Sequence, residues 1–159
     1  MPERRSPLDG WSLAAPGLAM RELPHLAQVS VRAATAPSGP ALPLGPDEWL
    51  VLGPSGSEAD MMRRLQQELA GSREQILDLT ASRTTIELAG PRAREVLEMG
   101  CGLDLHSRAF PPGRSAATLL ARTGVILQRD EAWRIHVRRS FARYLRDWLM
   151  AAAHPAAGV

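Results

Sequence analysis

Cys101 lies five residues before His106, and a thiol within reach of an imidazole is the smallest reactive pair the chain can offer. Its thiolate would be a nucleophile or a metal ligand. It sits in Gly100-Cys101-Gly102, just past an expected helix, where a small buried filler is wanted, and that packing role is the favoured reading. As the only cysteine it excludes an internal disulfide and a Cys-x-x-Cys zinc pair. Asp104-Leu105-His106 supplies two ligand types from one loop without an identifiable third. His25, His136 and His154 are scattered, and His136 is expected on the outward, wet face of a strand. No catalytic, cofactor-binding or metal-binding residue is assigned.

Other chemistries lack their fixed phrases. There is no Gly-x-Gly-x-x-Gly, and Gly53-Pro54-Ser55-Gly56 lacks the lysine and spacing of a phosphate loop. No Gly-x-Ser-x-Gly elbow occurs, so Ser82 and Ser140 read as a turn and a helix cap. Glu87 and Glu95 have no spacing that argues for acid–base work. Arg138 and Arg139, followed by Phe141, Arg143 and Tyr144 at a helix start, form the one polar–aromatic cluster suited to a carboxylate. Solvated arginines beside a capped helix are the plainer alternative.

The pI of 9.4 comes with a net charge of only +2. Every one of the 19 basic residues is arginine, which stays charged and lifts the pI without much charge behind it. These arginines are spread among 17 carboxylates and form no stripe of the kind nucleic acid requires. No apolar run reaches the ~20 residues of a membrane span. No apolar core follows the charges of Met1–Gly10, so a secretory leader is not expected and a cytoplasmic location is.

The elements that would hold these residues are α+β: two small lobes of mixed or antiparallel strands with three main helices. Residues 1–17 read as an N-terminal arm, 18–71 as a first lobe, 72–153 as a second, and 154–159 as a frayed tail. In the first lobe one or two strands over 18–34 are followed by a Pro/Gly-rich loop over 35–46, then a doubly buried strand at 48–52. A helix capped by Ser57 buries Met61, Met62, Leu65 and Leu69 and ends near Gly71. In the second lobe, strands at 74–80 and 84–89 lead to a helix after Gly90-Pro91 that buries Ala93, Val96 and Leu97. Further strands span 116–121, 125–128 and 132–137, the last with Trp133, Ile135 and Val137 inward. The closing helix, capped by Ser140, carries the stripe Phe141, Tyr144, Leu145, Trp148, Leu149 and Ala152, with Trp148 buried.

Asp78-Leu79-Thr80 through Ile86-Glu87-Leu88 to Gly90-Pro91-Arg92-Ala93 opens a run of irregular phrases. Cys101-Gly102-Leu103-Asp104-Leu105-His106, Arg108-Ala109-Phe110-Pro111-Pro112-Gly113-Arg114 and Val137-Arg138-Arg139-Ser140-Phe141 continue it. With Leu44-Gly45-Pro46-Asp47-Glu48-Trp49-Leu50 upstream, this order resembles the gamma subunits of heterotetrameric sarcosine oxidases. Its strand–Gly-Pro–helix portion is also similar to part of the folate-dependent aminomethyltransferases. Those proteins are longer and carry a catalytic aspartate and a third domain, neither identifiable here.

The resemblance implies a non-catalytic subunit, inactive alone, in an oxidoreductase complex. Such a complex demethylates sarcosine to glycine with hydrogen peroxide formation. The one-carbon unit leaves as formaldehyde or passes to tetrahydrofolate. FAD, FMN, NAD and zinc would belong to the other subunits, and the partners would be the alpha, beta and delta chains, with no nucleic acid or membrane. An equivalent subunit of a related N-methyl amino acid enzyme, such as methylglutamate dehydrogenase, is one alternative, and a stand-alone folate- or carboxylate-binding module is another. Trp11, Phe110, Arg114, Arg138, Arg139 and Phe141 are the expected interface residues. Proline-fixed loops lose little entropy on docking, and arginine forks pair with carboxylates.

Overall fold

The computed structural model describes residues 3–154, and its chain divides into two compact units. One joins the N-terminal residues through Leu23 to those from Thr84 onward; the other is Pro24–Arg83. This division replaces the sequence boundary at Gly71. The cause is β2 (Leu18–Leu23), which pairs antiparallel with the distant β7 (Arg83–Ala89), setting Met20 opposite Leu88 and Arg21 opposite Glu87.

In the unit built from both ends, β1 (Ser12–Ala15), β8 (Ser115–Leu120), β9 (Thr123–Arg129) and β10 (Trp133–Arg138) complete a sheet of order β1-β2-β7-β10-β9-β8. Met20, Ile86, Leu88, Leu127, Ile135 and Val137 alternate onto one face and share a core with α2 (Ala93–Glu98) and α3 (Ala142–Ala153). The inward set Trp133, Ile135, Val137 and the helix contacts Ala93, Val96, Leu97 stand where the pattern puts them. At Gly90 φ is +104°, and an added Cβ would lie 2.5 Å from the Gly17 carbonyl oxygen, so glycine is required where β7 turns into α2.

In Pro24–Arg83 the sheet runs β4-β5-β3-β6, with β3 (Ala27–Arg32) central. β5 (Glu48–Gly53) buries Leu50 and Val51 on its two faces, as expected of that run. α1 (Glu58–Glu68) lays Met61 and Leu65 against Val29, Val31 and Val51. β6 (Gln75–Asp78) pairs with β3, not with β7, although the two are consecutive.

Several local expectations are corrected. The described residues of the arm are part of the fold: β1 pairs with β2, Leu8 is buried, and Glu22 accepts hydrogen bonds from the Ser6 hydroxyl (2.7 Å), the Gly10 N–H (2.9 Å) and the Thr84 hydroxyl (2.7 Å). The loop over 35–46 contains β4 (Ala41–Gly45), an edge strand whose register shifts between Pro43 and Gly45, which is where a sheet tolerates proline. Ser57 does not cap α1 through its side chain; its hydroxyl donates to the Pro54 carbonyl. A 3-10 turn at Arg139–Phe141 delays α3, so Ser140 caps nothing, and the buried face is Ala142, Leu145, Leu149 and Ala153. Phe141 and Tyr144 are exposed and Trp148 is half-buried. Of the expected tail over 154–159, residues 155–159 lie outside the described residues.

Candidate functional site

The second face of the larger sheet carries the densest polar cluster. Opposite pairing on β2 and β7 sets Arg21 across from Glu87, and β10 brings Arg134 from the other side. Glu87 Oε1 accepts from Arg21 Nε (2.9 Å) and Nη2 (2.8 Å), while Oε2 accepts from Arg134 Nε (3.1 Å). Burial alone would raise this carboxyl, but the bonds and charges of the two arginines outweigh it and hold Glu87 below the usual glutamate range. It is an anion with both oxygens engaged, which suits a brace and not a proton carrier.

His136 corrects the sequence reading. It is fully buried, with Nδ1 2.8 Å from the Thr85 hydroxyl and Nε2 3.0 Å from Gln128 Oε1. An amide oxygen only accepts, so Nε2 donates to Gln128. Strand alternation put His136 on the correct face of β10, but that face is buried here. Thr85 and Glu87 are buried as well, so this face of β7 is covered too.

The loop between α2 and β8 holds the remaining candidates. Asp104 Oδ1 accepts the His106 N–H at 2.9 Å, and His106 Nδ1 accepts the Arg108 N–H at 3.2 Å, so each closes a local turn. Among the described residues no three His, Cys, Asp or Glu side chains converge to hold a metal. Cys101 is half-buried and forms a single backbone bridge with Leu120.

The six expected interface residues fall into groups tied to different segments. Phe110 is only 1% exposed and packs on Trp133 with ring centroids 5.5 Å apart, so its ring belongs to the core and offers a partner nothing. Arg114 is exposed, donates to the Ala109 carbonyl and lies over the Phe110 ring. Arg138, Arg139 and Phe141 are exposed at the start of α3. Arg139 donates to the Arg5 carbonyl, latching the N-terminal segment, and Trp11 is half-buried against the core.

Sequence reasoning missed a groove lined by Met99, Gly100, Cys101, Arg122, Tyr144 and Trp148. Trp148 fills the space a side chain at Gly100 would take, 2.6 Å from the position of its Cβ. Tyr144 donates its hydroxyl to the Ala121 carbonyl at 2.8 Å. The Tyr144/Trp148 pair at i, i+4 was the available signal, and the hydrophobic stripe absorbed it as core.

This two-sheet α+β architecture is shared with part of an aminomethyltransferase. Glycine cleavage system aminomethyltransferase T from Bartonella henselae superposes with a TM-score of 0.66 at 14% identity, over 92% of this chain and 57% of that one, which shows the fold alone. The profile of the sarcosine oxidase, gamma subunit family matches residues 19–155. The chain belongs to that family. Sarcosine oxidase subunit gamma from Corynebacterium sp. (strain P-1) is 39% identical over 127 residues, covering 79% of this chain and 62% of the relative. The subunit from Corynebacterium sp. (strain U-96) is 40% identical over 111 residues, covering 69% and 53%. The matched region thus spans less than two-thirds of these relatives. A chain of the heterotetrameric sarcosine oxidase from Corynebacterium sp. U-96, solved with pyrrole 2-carboxylate, superposes with a TM-score of 0.82 at 29% identity over 98% of both chains.

Proposed function

We propose that this chain is the gamma subunit of a cytoplasmic, four-subunit sarcosine oxidase and that it supports the assembly without doing its chemistry. The observation that carries the reading is the match over 98% of both chains to a component of such an enzyme. In this reading the complex consumes sarcosine, dioxygen and water and yields glycine, formaldehyde and hydrogen peroxide. With tetrahydrofolate the one-carbon unit leaves as methylene-tetrahydrofolate in place of formaldehyde. FAD, FMN, NAD and zinc are assigned to the alpha, beta and delta partners. The assignment of zinc to a partner is supported by Glu87 and His136, whose polar atoms are already engaged in bonds within the sheet.

The exposed Arg114, Arg138, Arg139 and Phe141, with Trp11 beside them in role, remain the proposed partner contacts; Phe110 acts only by holding its loop. The test is to co-express all four subunits with and without this chain and to follow sarcosine-dependent peroxide formation and its thermal half-life. Loss of activity or a shortened half-life without the chain supports the reading. Equal turnover and half-life in its absence overturn it.

A further inference from the structure

The two sheets end on four edge strands, and three are blunted. β1 has four residues and runs into Pro16; β4 carries Pro43 and a register shift; β6 has four residues, follows Arg73-Glu74 and ends on Asp78. β8 is different. Its Ser115-Ala116-Ala117-Thr118-Leu119-Leu120 is uncharged, free of proline and in continuous register with β9. Edges of that kind pair readily with another chain, and folded proteins normally protect them.

The hairpin fixes which backbone groups face outward. Ala121 and Arg122 form its two-residue loop with φ of 50° and 65°, so Leu120 and Thr123 close the ladder as the first bonded pair. Alternation continues through Arg114, whose carbonyl accepts from the Arg129 N–H at 2.9 Å. Ala117 and Leu119 therefore direct their N–H and C=O away from β9. Among the described residues Cys101 alone bridges this edge, at Leu120, with the Gly100 carbonyl accepting the Ala121 N–H at 3.0 Å. Leu119 is 61% exposed. Exposed Arg114 precedes this uncharged strand and exposed Arg122 stands in the turn that follows it, roughly 24 Å apart along the strand at about 3.4 Å per residue.

We infer that the outer edge of β8 is a strand-addition site for an extended, uncharged segment of another subunit, bracketed by carboxylates. That the segment comes from another subunit rests on the function proposed above. The backbone ladder supplies the pairing, Leu119 an apolar contact, and the two arginines fix position and ends. A second copy of this chain is a poor occupant. Antiparallel pairing of β8 with itself about Thr118 would bring Arg114 of each copy toward the turn that carries Arg122 of the other, like charge near like charge at both ends.

The test uses the co-expressed complex with Leu119→Lys and Arg122→Gly. Lysine is the residue that blunts natural edges, and glycine relieves the positive φ at 122, so neither substitution should unfold the chain. Each should weaken assembly by about tenfold or more, the scale of losing one central interface contact. Amide exchange at Ala117 and Leu119 should slow on assembly in the wild type. If the wild-type complex forms while both variants assemble equally well and exchange at these amides is unchanged, the edge assignment is wrong and the subunit reading stands. Failure of the wild-type chain to assemble overturns both. A wild-type homodimer that Leu119→Lys converts to monomer overturns the hetero-segment in favour of self-pairing.

Discussion

Glu87 gathers Arg21 and Arg134 onto one carboxylate across three strands, so its ionisation is tied to the integrity of the sheet. Its folded pKa is depressed, so its contribution is present above the unfolded value of about 4.3 and is lost as pH falls through the lowered folded value. Glu87→Gln should lower the denaturation midpoint at pH 7, and the gap to wild type should close toward pH 3. A gap that stays constant over that range would show the ion pairs contribute nothing. Position on α3 also decides what a side chain contributes. Leu145→Ala, at a fully buried site, should cost about 2–5 kcal/mol in chemical denaturation. Trp148→Ala, half-buried over Gly100, should cost less than the ~3–5 kcal/mol of a buried tryptophan. Equal or reversed costs would mean that the face assigned to α3 is wrong.

At the scale of elements, the helix and strand positions were legible because apolar periodicity is a local property. Trp133, Ile135 and Val137 on β10 and Ala93, Val96 and Leu97 on α2 follow directly from it. Coverage of a second sheet face is not local, which is why alternation put His136 on the correct face and misjudged its burial. Proline hid β4, because a loop and a sheet edge both accept it. A 3-10 turn at 139–141 shifted the phase of α3, moving Phe141 and Tyr144 out of the core and Ala142 into it. With no cap bond to lose, Ser140→Ala should change stability by less than about 0.5 kcal/mol, as a surface substitution does. A loss near 1 kcal/mol, typical of a working cap, would contradict this. Gly90→Ala meets both a positive φ and the Gly17 carbonyl, and should destabilise by more than about 1 kcal/mol. A thermal midpoint at or above wild type would refute that account of the β7–α2 turn.

At the scale of the whole molecule, the irregular phrases carried the family where periodicity could not. Phe110-Pro111-Pro112-Gly113-Arg114 holds a loop through the Phe110–Trp133 contact and the Gly113 N–H to Arg129 carbonyl bond at 2.7 Å. Arg138-Arg139-Ser140-Phe141 turns the chain into α3 and ties down the N-terminal segment. The unblunted β8 edge was not legible, because a strand's place at the end of a sheet is set by long-range pairing. The central claim, that this chain is the gamma subunit of a four-subunit enzyme, is tested most directly by native mass spectrometry of the co-expressed complex purified through a tag on this chain. The expected result is a discrete assembly in which this 17.3 kDa chain is present with three different partners. Recovery of the chain alone, or only with copies of itself, would contradict it.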